Sequence, residues 1–112
     1  MRLIDELTAE ARQQYNIVGE DGEEIELLLW YAPTQQSWYF NVTNEDFTLQ
    51  GAQLTYSPNI LRSYRNLLSF GFGVTVTDGL DPFYLDDFIS GRVQLYLLNR
   101  SDVAEIETRL FD

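Results

Sequence analysis

The side chains that usually carry catalysis are largely missing from this 112-residue chain. It contains no His and no Cys, and all seven of its basic residues are Arg. Without His and Cys, the Ser-His-Asp triad, the common zinc sites and thiolate chemistry are excluded. Without Lys, Schiff-base chemistry and the phosphate-binding loop are excluded as well. The residue types therefore predict a protein that is not an enzyme and that uses no cofactor and no metal.

Carboxylates are the remaining groups with acid–base or metal-binding chemistry, and a first cluster lies between residues 20 and 26. Calcium loops alternate oxygen ligands at a set spacing around a Gly, and the sequence here lacks that pattern. A solvated hairpin tip is favoured over a cation site. The cluster comprises Glu20, Asp21, Glu23, Glu24 and Glu26.

A second acidic cluster comprises Asp81, Asp86 and Asp87. Paired carboxylates serve as general acid and base in glycoside hydrolysis. That chemistry needs a cleft, which a small and filled β-domain rarely has. These residues are therefore predicted to cap a turn or to meet Arg side chains of a neighbouring protein.

Arg and aromatic residues are the other groups that suit recognition. Arg62 and Arg65 would share one face of a helix, where they would either form internal ion pairs or present a fork to a partner's carboxylates. Trp30 and Trp38 lie on neighbouring predicted strands and would suit a platform for a sugar or peptide. Trp38 is nevertheless predicted to anchor the core.

Alternating apolar residues indicate the strands that position these side chains. The clearest alternation runs from Ser37 to Thr43, with Trp38, Phe40 and Val42 on one face. Other strands are predicted over 15–18 and 25–31, joined by a turn, and over 47–49, 54–56, 74–77 and 92–98. In the last strand Leu98 is predicted to face away from the core. Such short strands and frequent turns predict a mainly β chain, a small antiparallel sandwich or barrel of six to seven strands.

The two ends of the chain show helical spacing. Residues 1–12 are predicted to form a short helix or an extended arm that reaches a neighbour, and residues 13–112 a single β domain. A short helix is predicted at the C-terminus, with Ser101 as its N-cap. Residues 60–69 fit either a helix or an irregular crossover.

The net charge of the chain limits the classes of partner that it can bind. Its 18 acidic and 7 basic residues give a net charge of −11. This charge argues against direct binding of nucleic acid, although an acidic mimic of DNA stays possible. No apolar run has the roughly 20 residues of a membrane span, and the N-terminus does not resemble a secretory signal. The sequence predicts a protein made in a reducing cytoplasm that does not bind membranes.

A family resemblance rests on the order of spaced residues along the chain. Gln13 and Gln14 precede the hairpin, and a Leu-rich crossover precedes the strand Gly73-Val74-Thr75-Val76. The other residues of the pattern are Trp38-Tyr39-Phe40-Asn41-Val42, Leu49, Gly51, Leu54, Asp86-Asp87-Phe88 and Val93-Gln94-Leu95-Tyr96. The pattern resembles the plug-type domain in the tail baseplates of contractile-tailed cyanophages and related phages. The resemblance covers roughly residues 13–100 and leaves residues 1–12 outside.

The resemblance implies a non-enzymatic virion component, made in the cytoplasm of the bacterial host. Its implied partners are hub, tube-end and other baseplate proteins, with several copies in a symmetric assembly. Aromatic and Arg side chains are the usual anchors of protein interfaces. The candidate interface residues are Tyr39, Arg62, Arg65, Tyr84, Tyr96 and Phe111. The alternatives are a stand-alone β-barrel that binds a peptide or carbohydrate, and an acidic DNA-mimic inhibitor.

Overall fold

Two antiparallel sheets make up most of the fold. The computed structural model describes residues 1–45 and 47–111, the last of these without its side chain. The first sheet has four strands in chain order, and the second has three strands in the order β1-β7-β6. The strands are β1 (Arg2–Leu3), β2 (Arg12–Val18), β3 (Glu24–Ala32), β4 (Ser37–Asn44), β5 (Phe47–Gln53), β6 (Gly71–Val76) and β7 (Val93–Leu98).

The four-stranded sheet follows the predicted alternation closely. Trp38, Phe40 and Val42 of β4 are all buried, as their spacing predicts. Strand β5 is a single strand rather than two, and its register against β4 shifts between Phe40 and Val42. Gly51 lies at this irregularity with φ 71°, and its amide donates to Asn41 Oδ1. A residue without a Cβ suits this left-handed conformation.

The three-stranded sheet includes the N-terminal residues, which the structure shows extended rather than helical. Arg2 and Leu3 pair with Leu97 and Tyr96 of β7, and Ile4 is buried in the core. Of the two forms that the sequence left open for this end, the structure shows the extended one, and it pairs with β7 of its own chain. Burial of Ile4 and the ladder to β7 give the extended form contacts that an isolated helix of this length would lack.

Side chains from both sheets meet in one buried cluster. Trp38 and Leu29 from the first sheet are fully buried there, as is Val74 from the second. The predicted mainly β fold is confirmed, and the arrangement is a sandwich. Across the described residues, no strand pairing closes the two sheets into a barrel.

The crossover between the two sheets is irregular, with one short 3-10 turn at Arg62–Tyr64. The buried side chain of Asn59 organises it: Asn59 Oδ1 accepts hydrogen bonds from the amides of Leu61 (3.1 Å) and Phe72 (3.3 Å). A backbone bond from the Ile60 amide to the Phe72 carbonyl also holds the crossover against β6.

Two short helices complete the fold. α1 (Asp87–Ser90) is a single turn, and α2 (Arg100–Ile106) continues into a π-helical turn, Glu107–Phe111. The N-cap of α2 is Asn99 and not Ser101, because Asn99 and Asp102 form a capping box. In the described chain no helix is long and apolar enough to cross a membrane.

One strand residue departs from the predicted alternation. Leu98, at the end of β7, was expected to face outward but is 1% exposed. The strand ends at Leu98, and α2 begins two residues later, at Arg100. Strand parity therefore does not determine the burial of this last position.

Candidate functional site

The first acidic cluster spans the turn between β2 and β3 and the beginning of β3. Glu23 is half-buried, and its carboxylate accepts hydrogen bonds from the Asp21 amide and the Ser69 hydroxyl. Partial burial alone would raise the pKa of Glu23. Hydrogen bonds from Ser69 and from backbone amides, together with Arg100, outweigh this effect and hold the pKa below its ordinary value. Glu23 therefore stabilises the turn through these hydrogen bonds. The other four acids of the cluster are exposed.

The second acidic cluster divides into residues of different kinds. Asp81 and Asp86 are exposed, whereas the side chain of Asp87 is 1% exposed. Asp87 Oδ2 accepts hydrogen bonds from the amides of Phe83 (2.7 Å) and Tyr84 (2.8 Å). Asp87 thus caps the turn, one of the two predicted roles, and its Arg partner is Arg92 of the same chain rather than an Arg of a neighbouring protein.

Arg92 uses all five N–H groups of its guanidinium. Nε and one Nη2 hydrogen form a fork to the two oxygens of Asp87, at 2.8 and 3.0 Å. The other three N–H groups donate to Asp78 Oδ1 and to the carbonyls of Leu80 and Asp81. These bonds, first of all those to Asp87, raise the pKa of Arg92 above its ordinary value. The guanidinium also lies 4.3 Å from the centre of the Phe83 ring.

These contacts fix residues 78–92, which we call the arginine-anchored loop. Core side chains hold the same loop from beneath: the Tyr31 hydroxyl donates to the Phe83 carbonyl, and Trp38 Nε1 donates to the Tyr84 carbonyl. Four large apolar side chains of the loop nevertheless remain 40–63% exposed. They are Leu80, Tyr84, Leu85 and Ile89.

The two Trp residues do not form a shared platform, the alternative to a core position for Trp38, because they lie on opposite faces of the sheet. Trp38 is buried in the core as expected, whereas Trp30 pairs with Tyr39 across β3 and β4. The rings of Trp30 and Tyr39 stack, with centres 6.0 Å apart. The aromatic pair on the outer face is therefore Trp30 with Tyr39, and both residues are half-buried.

Arg62 and Arg65 both contact Glu107 in the C-terminal turn. Their Nε atoms lie 2.8 and 2.7 Å from its two carboxylate oxygens. Of the two interpretations left open by the sequence, the structure shows the internal ion pairs. These pairs join the crossover to the C-terminus.

The two remaining candidate interface residues belong to other elements, Tyr96 to β7 and Phe111 to the C-terminal turn. Tyr96, half-buried on β7, donates from its hydroxyl to Gln94 Oε1 and pairs with Leu3 of β1. The side chain of Phe111 lies outside the described part of the chain. Among the six candidates only Tyr84 belongs to the arginine-anchored loop.

The family model described as the cyanophage baseplate Pam3 plug gp18 matches residues 1–100. The chain belongs to this baseplate plug family. No curated protein matches the chain. The match confirms the resemblance read from the sequence, and it extends that resemblance to residues 1–12, which the sequence pattern left outside the family.

Membership of the plug family indicates a structural role in the baseplate and a place in the virion tail. Among the described residues, no group of three His, Cys, Asp or Glu side chains could hold a metal ion. The most buried acid, Asp87, is paired with Arg92.

Arg92 is the residue that sequence reasoning missed. It is the only basic residue between positions 66 and 99, and Asp78, Asp81, Asp86 and Asp87 precede it. This local charge imbalance was the available signal, since a lone Arg among four acids is expected to be paired. The sequence does not show which acid would be buried, because the fold alone decides that.

Proposed function

We propose that this plug-family chain is a non-enzymatic structural component of a phage tail baseplate, acting through protein–protein contacts during tail assembly. The family match over residues 1–100 carries the proposal. The proposed partners are hub, tube-end and other baseplate proteins, with several copies of the chain in a symmetric assembly. The chain would be made in the cytoplasm of the bacterial host and then incorporated into the virion.

The surface of the protein supports a role in assembly rather than catalysis. Exposed apolar side chains lie on a loop that Arg92 and Asp87 hold in place, and fixed apolar groups of this kind mark many interaction sites. The net charge of −11 would keep the free subunit soluble before assembly. Tyr39, Arg62, Arg65, Tyr84, Tyr96 and Phe111 remain proposed contacts of that assembly.

Quantitative mass spectrometry of purified particles tests the proposal. Particles of the phage or prophage that encodes the chain are compared with capsids separated from their tails. We expect a fixed and small number of copies per tail, proportional to the known tail proteins. Absence of the chain from intact tails would contradict the proposal.

The stacked pair Trp30–Tyr39 favours a second candidate function, the binding of a peptide or carbohydrate on the outer face of the first sheet. This function predicts a rise in melting temperature when oligosaccharides or peptides are added to the isolated protein. Replacing Trp30 by Ala would abolish that rise. A melting temperature unaffected by these ligands would count against this candidate.

A further inference from the structure

We propose that the arginine-anchored loop is the docking surface for a basic protein of the tail, and that this protein is not a second copy of the chain. The inference rests on the proposed function and specifies the surface and the chemistry of one partner. Three observations carry it: the loop is fixed before binding, it exposes apolar side chains, and it carries an excess of acids.

The loop is fixed by contacts within the chain. Arg92 bonds to Asp87, Asp78 and two loop carbonyls, and its side chain is only 12% exposed. Tyr31 and Trp38 hold the carbonyls of Phe83 and Tyr84 from the core side. A surface that is ordered in the free protein loses little conformational entropy when a partner binds. The exposed side chains of this loop are therefore suited to recognition.

Two apolar side chains of the loop, Leu80 and Ile89, are mostly exposed to solvent. Ile89 is 63% exposed and Leu80 is 56% exposed, although the chain could place polar residues there at no cost to the core. Ile89 lies in α1 and Leu85 in the turn just before its N-cap, Asp86, so these two exposed side chains are close along the chain. Water-exposed apolar groups on a rigid segment favour burial against another protein.

The charge of the loop selects a basic partner. Asp78, Asp81, Asp86 and Asp87 give four negative charges against the single positive charge of Arg92, so residues 78–92 carry −3. Asp81 and Asp86 are exposed beside the apolar residues. A matching surface would place Arg or Lys around an apolar centre.

A second copy of this chain does not fit that description. The chain has a net charge of −11, so two copies repel each other. Its arginines are also mostly engaged, since five of the seven donate to acceptors within the same chain. These are Arg2, Arg62, Arg65, Arg92 and Arg109.

The test uses tails purified from a phage mutant that lacks this protein, to which the purified full-length chain is added. We expect the double variant Leu85→Ser/Ile89→Ser to bind at least about tenfold more weakly than the natural chain. The matched control is Val18→Ser/Leu67→Ser, which removes two side chains that are 60% and 73% exposed elsewhere. The control is expected to bind within twofold of the natural chain.

A second arm tests the charge of the partner. Asp81→Asn/Asp86→Asn keeps the side-chain shape and is expected to weaken binding. It is also expected to make binding less sensitive to NaCl, because fewer ion pairs are then screened. Circular dichroism and thermal melting of each variant establish that it is folded before binding is measured.

A photo-crosslinking amino acid in place of Leu80 identifies the occupant on these tails. Cross-links to another tail protein, at a segment with Arg or Lys beside apolar residues, would support the inference. Cross-links to a second copy, or Leu85→Ser/Ile89→Ser binding like the control, would overturn it while leaving the baseplate role intact. Failure of the natural chain to bind these tails would instead count against the baseplate role itself.

Discussion

At the scale of single residues, Arg92 is predicted to contribute far more to the free energy of unfolding than an ordinary surface arginine does. Arg92→Ala would leave the buried carboxylate of Asp87 without its cation, because that side chain is 1% exposed. Removing one partner of a buried pair typically costs about 3–5 kcal/mol. We expect a loss near the lower end of that range in urea unfolding, because two backbone amides still bond to Asp87.

Arg109→Ala is the matched control for this prediction. Arg109 also pairs with an acid, Glu105, but their side chains are 75% and 58% exposed. Exposed pairs of this kind contribute about 0.3–0.5 kcal/mol. Equal losses for the two variants would show that the Phe83 and Tyr84 amides alone satisfy Asp87, and would refute the proposed importance of Arg92.

Glu23 is predicted to make stability depend on pH in the acid range. Its pKa in the folded protein lies below the ordinary value of about 4.3 for Glu. The unfolded chain therefore binds the proton more readily, and folding is favoured while the carboxylate is ionised. This stabilisation is present above the unfolded pKa and is lost as the pH falls through the folded pKa.

The measurement for Glu23 is the difference in free energy of unfolding between the natural chain and Glu23→Gln, from pH 7 to pH 3. We expect the natural chain to be more stable at pH 7 and the difference to shrink below about pH 5. Ser69→Ala serves as the second variant, since it removes one of the bonds that lower the pKa. A difference that is constant across this range would contradict the assignment.

At the scale of elements, the crossover and β6 are predicted to depend on the fit between Asn59 and Gly71. A Cβ at Gly71 would lie 2.8 Å from Asn59 Cγ, which is too close for two carbon atoms. Gly71→Ala is therefore expected to cost about 1–3 kcal/mol, the usual range for overpacking. Asn59→Ala is expected to cost a similar amount, because the amides of Leu61 and Phe72 lose their acceptor.

The double variant distinguishes this clash from a general effect of either substitution. With Asn59 reduced to Ala, the space beside Gly71 is open, so Gly71→Ala should then cost much less than it does alone. Unfolding free energies of the two single variants and the double variant give the coupling directly. Additive losses would show that Asn59 and Gly71 do not restrict each other.

The elements also show which features of the fold the sequence can predict. Strict alternation predicted β4 and its buried face, because every second residue of that strand is apolar and points into the same core. The N-terminal residues have apolar positions at helical spacing, but in the structure they are extended. In this form Ile4 is buried and β1 pairs with β7. The arginine-anchored loop could not be predicted for another reason. Four acids precede Arg92, and only the fold determines that Asp87 is the one buried beside it.

At the scale of the whole molecule, like charges are predicted to oppose folding at low salt. The chain carries 18 acidic residues against 7 basic ones, and its longest dimension is 34 Å. The screening length in 10 mM salt is about 30 Å, so nearly all of these charges then act on one another. Added NaCl should screen their repulsion and stabilise the folded state.

We therefore expect the melting temperature to rise by roughly 4 °C between 10 mM and 0.5 M NaCl, equivalent to about 1 kcal/mol in a domain of this size. The triple variant Asp21→Asn/Glu24→Gln/Glu26→Gln should melt higher at 10 mM NaCl, and its melting temperature should rise less with salt, because it removes three exposed acids that are close along the chain. A fall in melting temperature with NaCl would mean that ion pairs such as Arg92–Asp87 outweigh the repulsion. In the predicted case, a basic neighbour in the baseplate would relieve the same repulsion that salt screens, so docking would stabilise the plug as well as position it.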